Sequence, residues 1–281
     1  MALLARDGFL PVLTPTIMGI GFILVGWFVN PLSGIAPGLG IIMLMIAAFF
    51  ANFWRDPDRP IPKEEGIIVS SADGHVMFVR RERSTGRRPS KKEKESSEED
   101  EYTGTWFPEP CEEILSFSTE QRFEEVAKGE ESDTDVWRIA VFMSPLDVHV
   151  NRAPIAGILT RMEHRTGKGR KRGPFVAAYR KESEFNERVR SLFEREDGLI
   201  VEVMQISGSL ARTIIPWVSE GATLRRGQRF GMIRLGSRVD IRVPAERFIP
   251  CVISAEDGDA SHPKGEFVKA GSSILFREVK M

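Results

Sequence analysis

Few side chains in this sequence of 281 residues can exchange protons near neutral pH. Histidine is the usual choice for that work, and there are four: His75, His149, His164 and His262. None stands at helical metal-ligand spacing from another. The two cysteines, Cys111 and Cys251, form no CxxC or Cys/His pattern, so neither a metal site nor a disulfide framework is expected. His149 lies in Asp147-Val-His-Val-Asn-Arg152. On an extended strand it would share a face with Asp147 and Asn151, opposite Val148 and Val150, and could point into a cleft. His164 and His262 sit in polar, loop-like surroundings and are given no role. Three Gly-Ser pairs, at Gly208-Ser209, Gly236-Ser237 and Gly271-Ser272, put a hydroxyl beside a residue without a Cβ, which by itself is a weak signal.

These residues need a scaffold, and the chain changes character to supply one. Between Asp7 and Arg55 no side chain is charged. That run is long enough for two helices of the roughly 20 residues needed to cross a bilayer. Residues 10–29 and 39–54 are its apolar cores, and Asn30, Pro31, Ser33, Gly34, Pro37 and Gly38 between them form the turn of a helical hairpin. Arg55, Arg59 and Lys63 follow directly, which places the remainder in the cytoplasm, on the inner face of the cell membrane. An anchor lying in one leaflet is the alternative to a spanning hairpin.

Beyond Trp54 the chain breaks into short β-branched or aromatic runs: 66–70, 76–79, 137–142, 155–162, 199–206, 229–233 and 239–243. Gly, Pro, Asp and Asn punctuate them, so the soluble part reads as mostly β (α+β), barrel-sandwich-like, with helices expected at 183–193 and 210–218. The stretch 80–134 contains opposed runs of Lys and Glu and reads as a charged, mobile insertion. The expected domains are a hairpin at 1–55 and a catalytic domain at 56–281. Lys and Arg number 39 against 40 Asp and Glu, a net charge of -1 that gives no reason to expect nucleic acid as a partner.

Five segments resemble the phosphatidylserine decarboxylase family in its short bacterial form. They are Phe53-Trp-Arg-Asp-Pro-Asp-Arg59, Ser71-Ala-Asp-Gly-His-Val76, Met143-Ser-Pro-Leu-Asp-Val-His-Val-Asn-Arg-Ala-Pro-Ile-Ala-Gly157, Asn186-Glu-Arg188 and Gly231-Met-Ile-Arg-Leu-Gly-Ser-Arg-Val-Asp240. The resemblance implies self-cleavage without hydrolysis between Gly236 and Ser237. The products would be a large subunit, 1–236, and a small one, 237–281, held as a heterodimer, with a pyruvoyl cofactor made from Ser237. It implies His149 as the base and Asp73 as its orienting carboxylate, with His75 a second choice. The pyruvoyl ketone would form a Schiff base with the serine amine of membrane phosphatidylserine, and phosphatidylethanolamine would be the product. Arg152 and Arg238 are candidates, by proximity to the motifs, for holding the substrate's phosphate and carboxylate. Longer relatives carry a second histidine where Arg152 stands, so His149 would have to serve both self-processing and turnover. Two readings compete: a decarboxylase of a serine ether lipid (archaetidylserine), and a non-catalytic, membrane-tethered lipid-binding β-domain. Homo-oligomerisation is left open.

Overall fold

The structure is a computed structural model that describes residues 4–29, 34–84, 104–106, 135–165, 186–208, 213–234, 236–257 and 264–279. The chain divides into two compact units, one comprising residues 1–59 with 145–149, the other 60–144 with 150–281.

The first unit is built on two helices, α1 (Phe9–Phe28) and α2 (Ala36–Phe53). At about 1.5 Å per residue they are about 30 and 27 Å long. Pro37 and Gly38, assigned above to the turn, belong to the first turn of α2, where a proline's missing N–H goes unmissed. The helices bury small residues and display large ones. Gly19, Gly26, Ala36 and Gly40 are buried, whereas Leu10, Ile17, Trp27, Ile41 and Met45 are exposed. That inverts the pattern of a water-soluble helix pair and is the usual arrangement of helices packed within lipid. Backbones approach closely at the glycines, for a Cβ on Gly40 would lie 2.7 Å from the Gly19 carbonyl oxygen. At the open end Ala5 N–H donates to the Trp54 carbonyl at 2.7 Å, so the chain returns to where it started.

The second unit is a β structure. Its strands are β1 (Ile67–Val69), β2 (Gly74–Ser84), β3 (Gly104–Trp106), β4 (Asp135–Met143), β5 (Val150–Arg152), β6 (Gly157–Arg165), β7 (Arg188–Glu194) and β8 (Ile200–Ile206). After these come β9 (Ile214–Pro216), β10 (Thr223–Leu224), β11 (Arg229–Ile233), β12 (Ser237–Pro244), β13 (Phe248–Pro250), β14 (Phe267–Val268) and β15 (Ile274–Glu278). Among the described residues the large sheet runs β10-β6-β7-β8-β12-β4-β2-β14, with β3 parallel to β2, and two small sheets run β1-β15-β13 and β5-β11-β9. They form a sandwich-like arrangement in which no strand path closes into a barrel among those residues.

Alternation along β12 explains its central place. Val239, Ile241 and Val243 join the apolar core with Ile139 and Val141 of β4 and Val201 and Val203 of β8. Arg238, Asp240 and Arg242 occupy the other face and are buried as well.

Two expected helices are strands. In 183–193, β7 turns Val189, Ser191 and Phe193 inward at period two and pairs with β8 along its length. In 210–218, the β-branched pair Ile214-Ile215 pairs with β11. Residues 183–185 and 210–212 lie outside the described residues. Of the expected insertion, residues 80–83 continue β2 against β4 and Gly104–Trp106 add a strand that pairs with residues 82–84, while 85–103 and 107–134 lie outside the described residues. His164 stands on β6, not in a loop, with Nε2 2.8 Å from Glu187 Oε1, and His262 is outside the described residues.

Gly40→Leu is expected to force the helix pair apart at a cost of about 1–3 kcal/mol, read as a lower thermal midpoint of the detergent-solubilised protein. Gly21→Leu, whose Cβ meets nothing within 4 Å, is the control expected to leave that midpoint in place.

Candidate active site

Ser237 opens β12 opposite Met143, the last residue of β4. It is fully buried. Gly236 before it has φ +66°, and a Cβ there would meet nothing within 4 Å, so glycine is required at this position for backbone conformation and not for space. The Ser237 hydroxyl points to the Met143 sulfur at 3.3 Å, a weak acceptor that leaves the oxygen without a strong partner on that side.

A small polar cluster continues from that sulfur into the otherwise apolar interior. Asn151 Nδ2 lies 4.0 Å from Met143 Sδ and donates to the Ser71 carbonyl at 3.2 Å, while Gln205 Nε2 donates to Asn151 Oδ1 at 2.8 Å. The Ser71 hydroxyl is buried with no hydrogen-bond partner among the described residues. Neither Gln205 nor Met143 was singled out as a site residue from sequence. A lone amide among the apolar residues of β8 is the signal that could have found Gln205.

Asp73 precedes β2 and is buried; its Oδ1 accepts the Ala270 N–H at 2.8 Å. Arg152, on β5, donates from Nη1 to the Gly227 carbonyl at 3.1 Å, and its stem fills the space beside Gly271, where a Cβ would come 2.9 Å from Arg152 Cδ. Asp73 and Arg152 thus converge on the turn at 270–271. His75 instead sets Nδ1 3.0 Å from the Gly265 carbonyl and its ring edge-on to Phe267.

Arg238 does not lie beside Ser237 in space as it does in sequence. It faces the opposite side of the sheet, is fully buried, and gives Asp240 two bonds of 2.7 and 2.8 Å. Arg138 adds a third from Nε at 2.8 Å. Burial alone would raise the Asp240 carboxyl, but Arg138 and Arg238 outweigh it and hold the group well below the usual carboxylate range. Glu202 is held down in the same way by Arg190 and Arg242. The Arg238 guanidinium is therefore committed to an internal ion pair, which corrects its reading as an anion-binding group.

His149 belongs to the helical unit with the rest of 145–149. It lies before β5 and not on it, so the strand alternation assumed from sequence does not apply. Its Nδ1 is 2.8 Å from the Asp147 carbonyl. A carbonyl only accepts, so Nδ1 carries the hydrogen and the neutral ring keeps its lone pair on Nε2, the form a base requires. Burial pulls this imidazole down to about 4, against the Asp147 hydrogen bond and with help from the Arg55 charge. The ring packs on Phe53 with centroids 4.4 Å apart.

The family model for phosphatidylserine decarboxylase matches residues 46–276. A phosphatidylserine decarboxylase proenzyme of Symbiobacterium thermophilum is 32% identical over 261 residues, covering 90% of this chain and 93% of its own. The proenzymes of Erythrobacter litoralis and Streptomyces coelicolor are 37% and 45% identical, over 86% and 75% of this chain and 77% and 70% of theirs. No solved structure matches.

Two outcomes follow from the buried charges. Asp240→Asn leaves Arg138 and Arg238 without their counter-ion and is expected to cost about 3–5 kcal/mol in chemical denaturation. The His149 ring should titrate by NMR with a midpoint near 4 and not near the ordinary 6.5. Because the folded value is the lower, the unfolded chain takes up this proton first as pH falls. Stability is therefore lost between about pH 6.5 and 4, by about 3 kcal/mol in all.

Proposed function

Because the chain belongs to the phosphatidylserine decarboxylase family, we propose that it cuts itself between Gly236 and Ser237 and then decarboxylates phosphatidylserine to phosphatidylethanolamine at the membrane. The observation that carries this reading is a family match across most of the chain, with the Gly-Ser junction at the head of a central strand.

Self-cleavage begins with the Ser237 oxygen bonding to the Gly236 carbonyl carbon while a base removes the hydroxyl proton. The C–N bond then breaks, the Ser237 nitrogen leaves as an amine, and an ester replaces the amide. Loss of the Ser237 Cα proton expels the Gly236 carboxylate and leaves dehydroalanine. Tautomerisation to an imine and addition of water release ammonia and leave a ketone at the new N-terminus. The tautomerisation adds a proton to the former Cβ, and every heavy atom of the pyruvoyl group except the incoming oxygen comes from Ser237. The geometry fits this course: Gly236 holds a left-handed φ that few other residues adopt, and among the described residues the Ser237 hydroxyl donates to a sulfur, a weak acceptor. Once formed, the ketone supplies an electrophile for the substrate amine and a sink for the electrons left by CO₂.

His149 is the proposed base, since it is neutral at physiological pH with Nε2 unprotonated. Asp73, expected from the resemblance to orient the ring, is proposed to steady its charged form, because the Asp147 carbonyl already holds Nδ1, and Arg152 is the candidate for the substrate's anionic groups by its place in the segment that follows His149. The apolar outer surface of α1 and α2 supports insertion of the hairpin into the bilayer, with Arg55, Arg59 and Lys63 marking the cytoplasmic end. The substrate's acyl chains then stay in lipid and only the headgroup has to enter the site.

The fragments are proposed to remain together. β12 pairs with β4 on one side and β8 on the other, and β13 to β15 of the small fragment are spread over two sheets. Arg195 and Asp197 of the large fragment also form ion pairs with Glu278 and Arg247, respectively, of the small one. Ser237→Ala is expected to give one uncut, inactive chain on a denaturing gel. The unaltered protein should give two fragments that co-migrate under native conditions, the smaller being lighter by one ammonia than residues 237–281 begun with serine. An uncut chain with full turnover would exclude the reading.

A further inference from the structure

The segment Phe53-Trp-Arg-Asp-Pro-Asp-Arg59 has no part in the chemistry described so far, yet the helical unit ties it to the histidine loop. We propose that the C-terminal end of α2, through Phe53 and Arg55, is the seat that positions the His149 imidazole, so that the hairpin orients the base as well as tethering the enzyme. This rests on the reading of His149 as the base.

The loop 145–149 is held to the helix end at two levels. Arg55 spans the first: Nη2 donates to the Leu146 carbonyl at 2.7 Å and Nη1 to the Asn52 carbonyl at 2.9 Å, with a further bond to Asn52 Oδ1. One guanidinium fork therefore joins a carbonyl at the helix terminus, where a cation is favoured, to the backbone of the loop. Asn52 Nδ2 also reaches the Leu146 carbonyl, at 3.5 Å.

The second level is the imidazole itself. The Asp147 carbonyl fixes Nδ1 in the ring plane, and Phe53 covers the ring, inclined at 43° with a centroid separation of 4.4 Å. An in-plane bond and a face contact together set both the tilt and the rotation of the ring. Phe53 is itself immobilised: it is 2% exposed and meets Trp54 edge-on at 5.6 Å. Trp54 in turn packs on Gly8, where a Cβ would stand 2.7 Å from Trp54 Cβ, and its carbonyl accepts the Ala5 N–H. A continuous set of contacts thus runs from the N-terminal turn through the end of α2 to the imidazole. The Arg55 charge, besides bracing the loop, disfavours protonation of the imidazole.

The test uses the full chain in phosphatidylserine vesicles, with Phe53→Leu, Phe53→Tyr and His149→Ala. Self-cleavage half-time, kcat and KM of the cut fraction, thermal midpoint and vesicle flotation are measured for each. Leucine keeps most of the apolar volume and removes the ring face, so Phe53→Leu is expected to slow self-cleavage and lower kcat about tenfold or more, with KM and flotation kept and only a small fall in midpoint. Phe53→Tyr, which restores the ring, is expected to recover most of both rates. Normal rates in Phe53→Leu while His149→Ala is inactive would overturn the positioning role alone. A fall in Phe53→Leu that matches its loss of flotation or midpoint would also overturn it, by reducing Phe53 to packing. Normal cleavage and turnover in His149→Ala would remove the base assignment, and this inference with it.

Discussion

Strand β12 is paired on both sides, and much of the molecule depends on that pairing. Eight of its residues are in register with β4 and five with β8, while its inward face belongs to the apolar core. The Gly236–Ser237 bond is placed at the rim of this strand, where the chain enters through a left-handed glycine. A break there alters only the first rung, Ser237 with Met143, and leaves those from Arg238 onward in place, whereas a break a few residues later would divide the central strand. The position of the junction is thus compatible with a product that keeps its fold.

The second face of the same sheet carries an unusual load. Arg138, Arg238 and Asp240 form one buried ionic group, and Arg190, Glu202 and Arg242 form another. Phe78 lies under the first, with the Arg138 and Arg238 guanidinium carbons 5.3 and 5.7 Å from its ring centre. Such groups add little net stability compared with apolar side chains of the same shape, but they penalise the loss of any member. They also penalise a one-residue slip of β12, which would carry Arg238 and Asp240 into the apolar core. Register, and with it the location of Ser237, is the property they protect.

Much of this was legible in the sequence, and what was not has physical causes. The hairpin was readable because an uncharged run of that length has few other uses, and most strands because β-branched residues lie between turn formers. β7 was misread because Val189, Leu192 and Phe193 also stand at helical spacing, and only pairing with β8 selects Val189, Ser191 and Phe193 as the inward set. Arg238 was misjudged by nearness in sequence, although alternation along a strand already sends it to the face opposite Ser237. The hold of α2 on the histidine loop could not be read at all, because Asn52 and Leu146 are 94 residues apart and neither carries a pattern that names the other.

The left-handed glycine before a two-sided strand also bears on timing. In an unfolded chain nothing restrains Gly236 to its φ of +66° or keeps the neighbouring hydroxyl out of water, so the junction there is an ordinary peptide bond. On the proposed chemistry the scission is then a receipt for completed folding. A population of these molecules would record, in the fraction of ketone-bearing ends, how many chains had reached the native arrangement.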